Sequence, residues 1–158
     1  ALGQKLIALT APGIPDVYQG TELWEDSLVD PDNRREVDYS ERRTALDTMT
    51  HPKMRVVRAA LRLRRERPDT FVSGTYRPVP ADGALAEHVV AFLRGEDVLV
   101  AVSRWTVRLG DSGWEDTTVA LPEGEWIDVL SNAQRRGTVP AGELFAEMSV
   151  ALLVRADA

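Results

Sequence analysis

The chain has 158 residues, 44% of them hydrophobic and 28% charged, with 19 Lys and Arg against 25 Asp and Glu for a net charge of −6. That length supports one core of ordinary size or two small ones, and the acidic balance speaks against nucleic acid and anionic membrane as partners. Cysteine is absent, which excludes a disulfide scaffold and zinc thiolate sites and fits a reducing, cytoplasmic setting.

The opening "ALGQKLIALT" places Leu2, Leu6 and Leu9 on one side of a helix. So apolar a start predicts that an upstream part belongs before it. Pro12 and Gly13 break the helix, and "PDVYQG" (15–20) reads as one short strand with Val17 and Tyr18 packing inward. Residues 22–50 carry nine carboxylates and few aliphatic side chains, and read as a long acidic excursion of the kind that is functional or disordered. "HPKMRVVRAALRLRRERPDTF" (51–71) is the clearest helix: Pro52 suits its first turn, Met54, Val57, Ala60 and Leu61 recur at three and four, and Pro68 stops it. Seven basic residues between Lys53 and Arg67 read as a solvated face whose Arg stems cover apolar surface.

After Gly74 the texture changes. "TYRPV", "HVVAFLR", "DVLVAVSRW", "TTVAL", "EWIDVL" and "SVALLVR" are short β-rich runs spaced as in an antiparallel sandwich, with "RGED" (94–97) as a tight hairpin. Trp105, Trp114 and Trp126, scattered through this module, are expected in its core rather than on a starch-binding surface. The boundary falls near 70–74. A single strand cannot bury itself, so the first half needs a sheet from elsewhere.

The run "APGIPDVYQGTE" (11–22) resembles the eighth barrel strand of the alpha-amylase superfamily, through Gly13, Pro15, Gly20 and Glu22. "ELWEDSLVDPDNRREVDY" (22–39) is similar, more narrowly, to the maltooligosyl trehalose synthase family, with Glu36 where that family usually has Pro. "RAALRLRRERPDTF" and "WIDVL…VALLV" resemble the same family's C-terminal region, so the resemblance covers essentially the whole chain. It implies an α+β fragment: residues 1–72 as the last strand and helix of a (β/α)8 barrel, and 73–158 as a C-terminal antiparallel β-sandwich. A barrel of this kind takes about 250 residues and carries its site on loops after the strands.

The resemblance also implies a retaining isomerase, without cofactor, that acts on maltooligosaccharides. Its three catalytic carboxylates would sit on earlier strands, so none is expected in this chain, and the upstream barrel segment is the implied partner. By analogy with related transglycosylases, Asp30 and Arg34 would hydrogen-bond glucose hydroxyls, with Asp32, Asn33 and Arg35 shaping the loop; the alternative is that Asp30 and Arg34 pair to stiffen it. Trp24 either stacks on a pyranose face or packs on the barrel wall. Glu22 is expected to pair with an Arg at the strand end, Tyr18 to line the core or the site floor, and Gly13, Pro15 and Gly20 to shape the backbone there. Asp30 and Asp32 lie too close in one loop to flank a glycosidic bond. "DPDNR" is a poor calcium loop, because Arg34 takes the fifth ligand position and no Gly follows. His51 and His88 read as structural or exposed.

Overall fold

The computed structural model describes residues 1–25, 34, 36–110 and 113–156. Among the described residues the first half holds α1 (Leu2–Thr10), α2 (Tyr39–Thr48), α3 (Pro52–Glu66) and the short α4 (Pro68–Val72). The second half contributes β1 (Tyr76–Pro78), β2 (Ala81–Asp82), β3 (Val89–Arg94), β4 (Val98–Ser103), the single-turn α5 (Thr106–Leu109), β5 (Thr118–Ala120), β6 (Trp126–Asp128), β7 (Gln134–Arg135), β8 (Thr138–Pro140), the single-turn α6 (Ala141–Leu144) and β9 (Val150–Arg155). Mixed helix and antiparallel sheet is therefore the architecture.

The strands form a six-stranded sheet in the order β1-β3-β4-β9-β6-β7 and a three-stranded sheet in the order β2-β5-β8. All pairings are antiparallel among the described strands. The "RGED" hairpin forms as expected, with Arg94 opposite Val98 and Gly95 at φ +55°, a conformation natural to glycine.

The apolar runs of β3, β4 and β9 have a simple cause: both faces of these strands are covered. Successive side chains on a strand point to opposite faces. On β4, Leu99 and Ala101 join the core between the sheets, while Val98, Val100 and Val102 join the core under the helices. On β9, Ala151 and Leu153 face one way, Val150 and Leu152 the other. Helices α1, α3 and α4 close the second core with Leu6, Leu9, Val56, Ala60, Leu63 and Phe71. The molecule is thus layered as helices, large sheet, small sheet, and residues on either side of 72/73 share one core.

Arg94 ties these layers. Its side chain is 1% exposed, on β3 under the helices. Nη1 donates to Thr10 O at 2.7 Å and Nη2 to Phe71 O at 2.9 Å, so one guanidinium meets carbonyls at the ends of α1 and α4. Helix C-termini leave such carbonyls unsatisfied and carry partial negative charge, which suits a buried cation. Arg64 adds a second clasp from α3, donating to Leu9 O at 3.1 Å and Gly13 O at 3.0 Å. Arg55 reaches the other way, from α3 to Leu130 O at 2.6 Å. That carbonyl belongs to a turn organised by Asp128, whose carboxylate accepts from Leu130 N, Ser131 Oγ and Leu152 N.

Several expectations need correction. Residues 15–20 form no strand and pair with none of the described strands; Val17 packs against the core under the helices as expected, but Tyr18 points to solvent instead of inward. The acidic stretch holds a regular element after all, α2, capped at its start by the Asp38 side chain. Asp38 Oδ1 accepts from Glu41 N at 3.0 Å, in an Asp-x-x-Glu run whose polarity hid it. Pro68 stops α3 as expected but also opens α4, since its fixed φ suits a first turn. Of the three tryptophans expected in the core, Trp126 is fully buried and Trp114 packs at the core's edge, while Trp105 is 47% exposed.

Candidate functional site

The segment singled out by its glycines is a scaffolded loop. Gly20 is buried, at φ +80°, and a Cβ there would lie 3.0 Å from Val37 Cγ1, so backbone conformation and close approach both require glycine. Its carbonyl is gripped by Arg42 of α2, with Nε at 3.1 Å and Nη2 at 2.8 Å. Arg42 also donates to Asp38 O at 3.2 Å, so the same side chain fixes the start of its own helix. Thr21 closes a turn on Tyr18 O through both its N–H and its hydroxyl. Gln19 Oε1 accepts from the Tyr39 hydroxyl at 3.4 Å. Gly13 is at φ +124° with open space around it, and its carbonyl is held by Arg64. Pro15 is half-buried between these two fixed points.

Beyond Gly20 the chain anchors Leu23 in a small cluster with Ala45 and Met54. Trp24 then turns outward and is 48% exposed. Its ring is not loose. His51 lies 5.2 Å away at a 57° tilt, and Lys53 Nζ sits 5.8 Å from the ring centroid while donating to Leu23 O at 2.7 Å. Burial, and then the Lys53 charge, push the His51 imidazole below its ordinary pKa, so the ring against Trp24 is neutral at pH 7. His51 Nδ1 is buried with no hydrogen-bond partner among the described residues. Trp24, His51 and Lys53 form one group: a tilted, half-exposed indole held at the start of α3, of a kind that can stack on a flat apolar face.

Of the expected site residues, Arg34 is exposed and Glu22 is half-buried without an ion pair among the described residues. Glu22 instead lines a groove of about 360 Å³ between α2 and α3. Its floor is Leu46, Met54, Val57 and Leu61, and Arg42, Arg43, Arg58 and Arg62 ring it. Asp30, Asp32, Asn33 and Arg35 lie outside the described residues. Sequence reasoning missed His51 and Lys53 as members of this site. Their distance from Trp24 along the chain hid them, and only the packing of α3 on Leu23 brings them together. Among the described residues no group of three His, Asp or Glu side chains is arranged to hold a metal, and no helix is long and apolar enough to cross a membrane.

No family model matches the chain. A protein of Mycobacterium tuberculosis (strain H37Rv) named "Putative maltooligosyl trehalose synthase" is 61% identical over all 158 residues. The maltooligosyltrehalose synthase structure from Arthrobacter ramosus superposes on 98% of this chain with a TM-score of 0.92 at 44% identity. The chain matches a C-terminal portion of the maltooligosyl trehalose synthases along its whole length. It spans 21% of the mycobacterial maltooligosyl trehalose synthase and 22% of the Arthrobacter one. A more distant maltooligosyl trehalose synthase structure, from Sulfolobus tokodaii, matches 98% of the chain at 28% identity with a TM-score of 0.67, over 20% of its own length.

Proposed function

We propose that this chain is the closing part of a cytoplasmic (1→4)-α-D-glucan 1-α-D-glucosylmutase, supplying one wall of the substrate groove and a stabilising β layer. What carries the reading is the 61% identity over every residue of the chain to a protein about five times as long. In the proposed division, residues 1–72 end the catalytic (β/α)8 barrel and 73–158 form the C-terminal sandwich. The whole enzyme converts the reducing-end α-1,4 bond of a maltooligosaccharide to α,α-1,1. An aspartate attacks the anomeric carbon and a glutamic acid protonates the departing 4-oxygen, releasing glucose within the closed site. That glucose turns, the glutamate removes the proton from its 1-hydroxyl, and the 1-oxygen displaces the enzyme aspartate. Water must be excluded throughout, because water would hydrolyse the glycosyl-enzyme instead.

Within that scheme this chain carries no catalytic carboxylate. Asp30 and Arg34 hydrogen-bond sugar hydroxyls, Asp32, Asn33 and Arg35 hold the loop, and Trp24, braced by His51 and Lys53, offers the stacking face. Gly20 and Gly13 set the path of the backbone toward the loop, with Arg42 and Arg64 holding their carbonyls. The groove between α2 and α3, apolar at its floor and ringed by arginine, is the docking face for the upstream barrel segment. The test is reconstitution: this chain is mixed with the separately produced upstream part and maltopentaose, and loss of reducing ends is followed. Turnover is expected only in the mixture, with a fall when Asp30→Ala or Arg34→Ala is used. No turnover from a mixture shown to associate overturns the assignment, as does turnover by this chain alone.

A further inference from the structure

The three tryptophans of the β half have different fates. Trp126 is buried, its Nε1–H donating to Pro122 O at 2.9 Å, and Trp114 packs on Phe145 with ring centroids 5.0 Å apart. Trp105, at the exit from β4, stays half exposed. Its backbone sits at φ +53°, in the left-handed region that bulky side chains seldom enter and that costs free energy to hold.

The neighbours hold that conformation. Arg104 N–H donates to His88 O at 2.8 Å and Arg104 Nε to Glu87 O at 2.5 Å, so the residue before Trp105 is fastened to the turn that precedes β3. The Arg104 guanidinium lies 3.9 Å from the Trp105 ring centroid and that of Arg108 lies 5.7 Å from it. The His88 ring meets the indole edge-on, 5.7 Å away at 87°. His88 is itself 4% exposed, with Nδ1 buried and unpartnered among the described residues. The strain therefore produces an aromatic plate fixed in orientation and open to solvent. Neither its indole N–H nor the Arg108 guanidinium has a hydrogen-bond partner among the described residues.

A rigid indole offers its π face to the C–H face of a pyranose ring, and N–H donors beside it reach the hydroxyl oxygens. We propose that Trp105, with Arg108 and Arg104, is a second carbohydrate platform that takes an α-1,4-linked glucan chain, separate from the Trp24 group, with which it shares no residue. The choice of α-glucan rests on the functional reading above; the platform itself rests on the geometry of Trp105.

The experiment is a titration of the protein with maltoheptaose, following the indole N–H resonances by NMR, with cellohexaose and sulfate as separate controls. The Trp105 resonance is expected to shift saturably with maltoheptaose alone and to do so unchanged in Trp24→Ala. Trp105→Ala should weaken this binding about tenfold or more, and Trp105→Phe less, since a ring face remains. An unshifted Trp126 resonance in each variant reports an intact fold. A Trp105 resonance that ignores maltoheptaose overturns the proposal, and so does an equal response to cellohexaose or a response to sulfate. Failure of the enzyme reading is distinguishable, because it appears as lost turnover in the reconstituted mixture whatever Trp105 does.

Discussion

The helix-covered sheet and the segment from Pro12 to Met49 are built on opposite terms. In the first, apolar side chains from α1, α3 and α4 fill the face of β3, β4 and β9, and the one buried guanidinium among them finds carbonyls of two helix ends. In the second, Ile14, Tyr18, Trp24, Tyr39 and Leu46 stand exposed, and the order comes from arginines gripping backbone carbonyls. Around Gly13 and Gly20 the second holds its backbone in place while leaving Ile14, Tyr18, Trp24, Tyr39 and Leu46 uncovered among the described residues, which is how a surface meant for contact is made.

That contrast can be broken at the buried end first. Arg94→Ala removes the cation that satisfies Thr10 O and Phe71 O and leaves those buried carbonyls unpaired. The expected loss is on the order of 3 kcal/mol, read from urea unfolding, and a loss below ~1 kcal/mol would show that the helix ends need no such clasp. Gly20→Ala comes next: the left-handed φ and the contact with Val37 predict a cost of about 1–2 kcal/mol. The damage should stay local, appearing as faster amide exchange in 18–25 and α2 with β3 and β4 unchanged.

The exposed end predicts smaller numbers. Leu46→Ser with Leu61→Ser should change the stability of the chain by no more than about 1 kcal/mol, because both side chains are already partly exposed on the groove floor. The same pair should weaken association with the upstream part in the reconstituted mixture. A large loss of stability with no loss of association would reverse the roles assigned to the two regions.

The smallest effects are those of pH. His51 titrates below its ordinary value in the folded state, so its contribution is present above the unfolded value of 6.5 and is lost as pH falls through the lowered one. Asp128 runs the other way. Burial raises its carboxyl pKa above the ordinary 3.8, so its contribution is present below that value and is lost as pH rises through the raised one. Asp128→Asn keeps acceptors for Leu130 N and Leu152 N but cannot ionise; its Tm relative to the parent chain should therefore rise from pH 3 to pH 7. A flat difference would mean that the hydrogen bonds to Asp128 cancel the cost of burying it.

The sequence made some of this legible because the physics was local. Strands β3, β4 and β9 announce themselves as unbroken apolar runs, since both their faces are covered, and α3 is bounded by Pro52 and Pro68. The sandwich pattern after Gly74 was readable for the same reason. What covers the outer face of the large sheet was not. Leu6, Leu9 and Val56 look like any helix stripe, and nothing in their spacing says that Phe92 and Val100 lie beneath them. Strands β2, β7 and β8 are two or three residues long, too short for alternation to register. At the candidate site, Trp24 and Arg34 stood out through a resemblance. His51 and Lys53 did not, because their part depends on where α3 begins in space. Trp105 was misplaced in the core because composition cannot see a left-handed backbone.

The clasp at Arg94 also bears on how the chain comes apart. A guanidinium whose Nη1 and Nη2 bonds go to carbonyls at the ends of both α1 and α4 cannot release one helix and keep the other without weakening the hold on a buried charge. Loss of α1 therefore exposes the same sheet face that loss of α4 would. The polypeptide should melt through a single shared transition, and a protease nick in the exposed turn at Ser73–Gly74 should leave two pieces that still sediment as one.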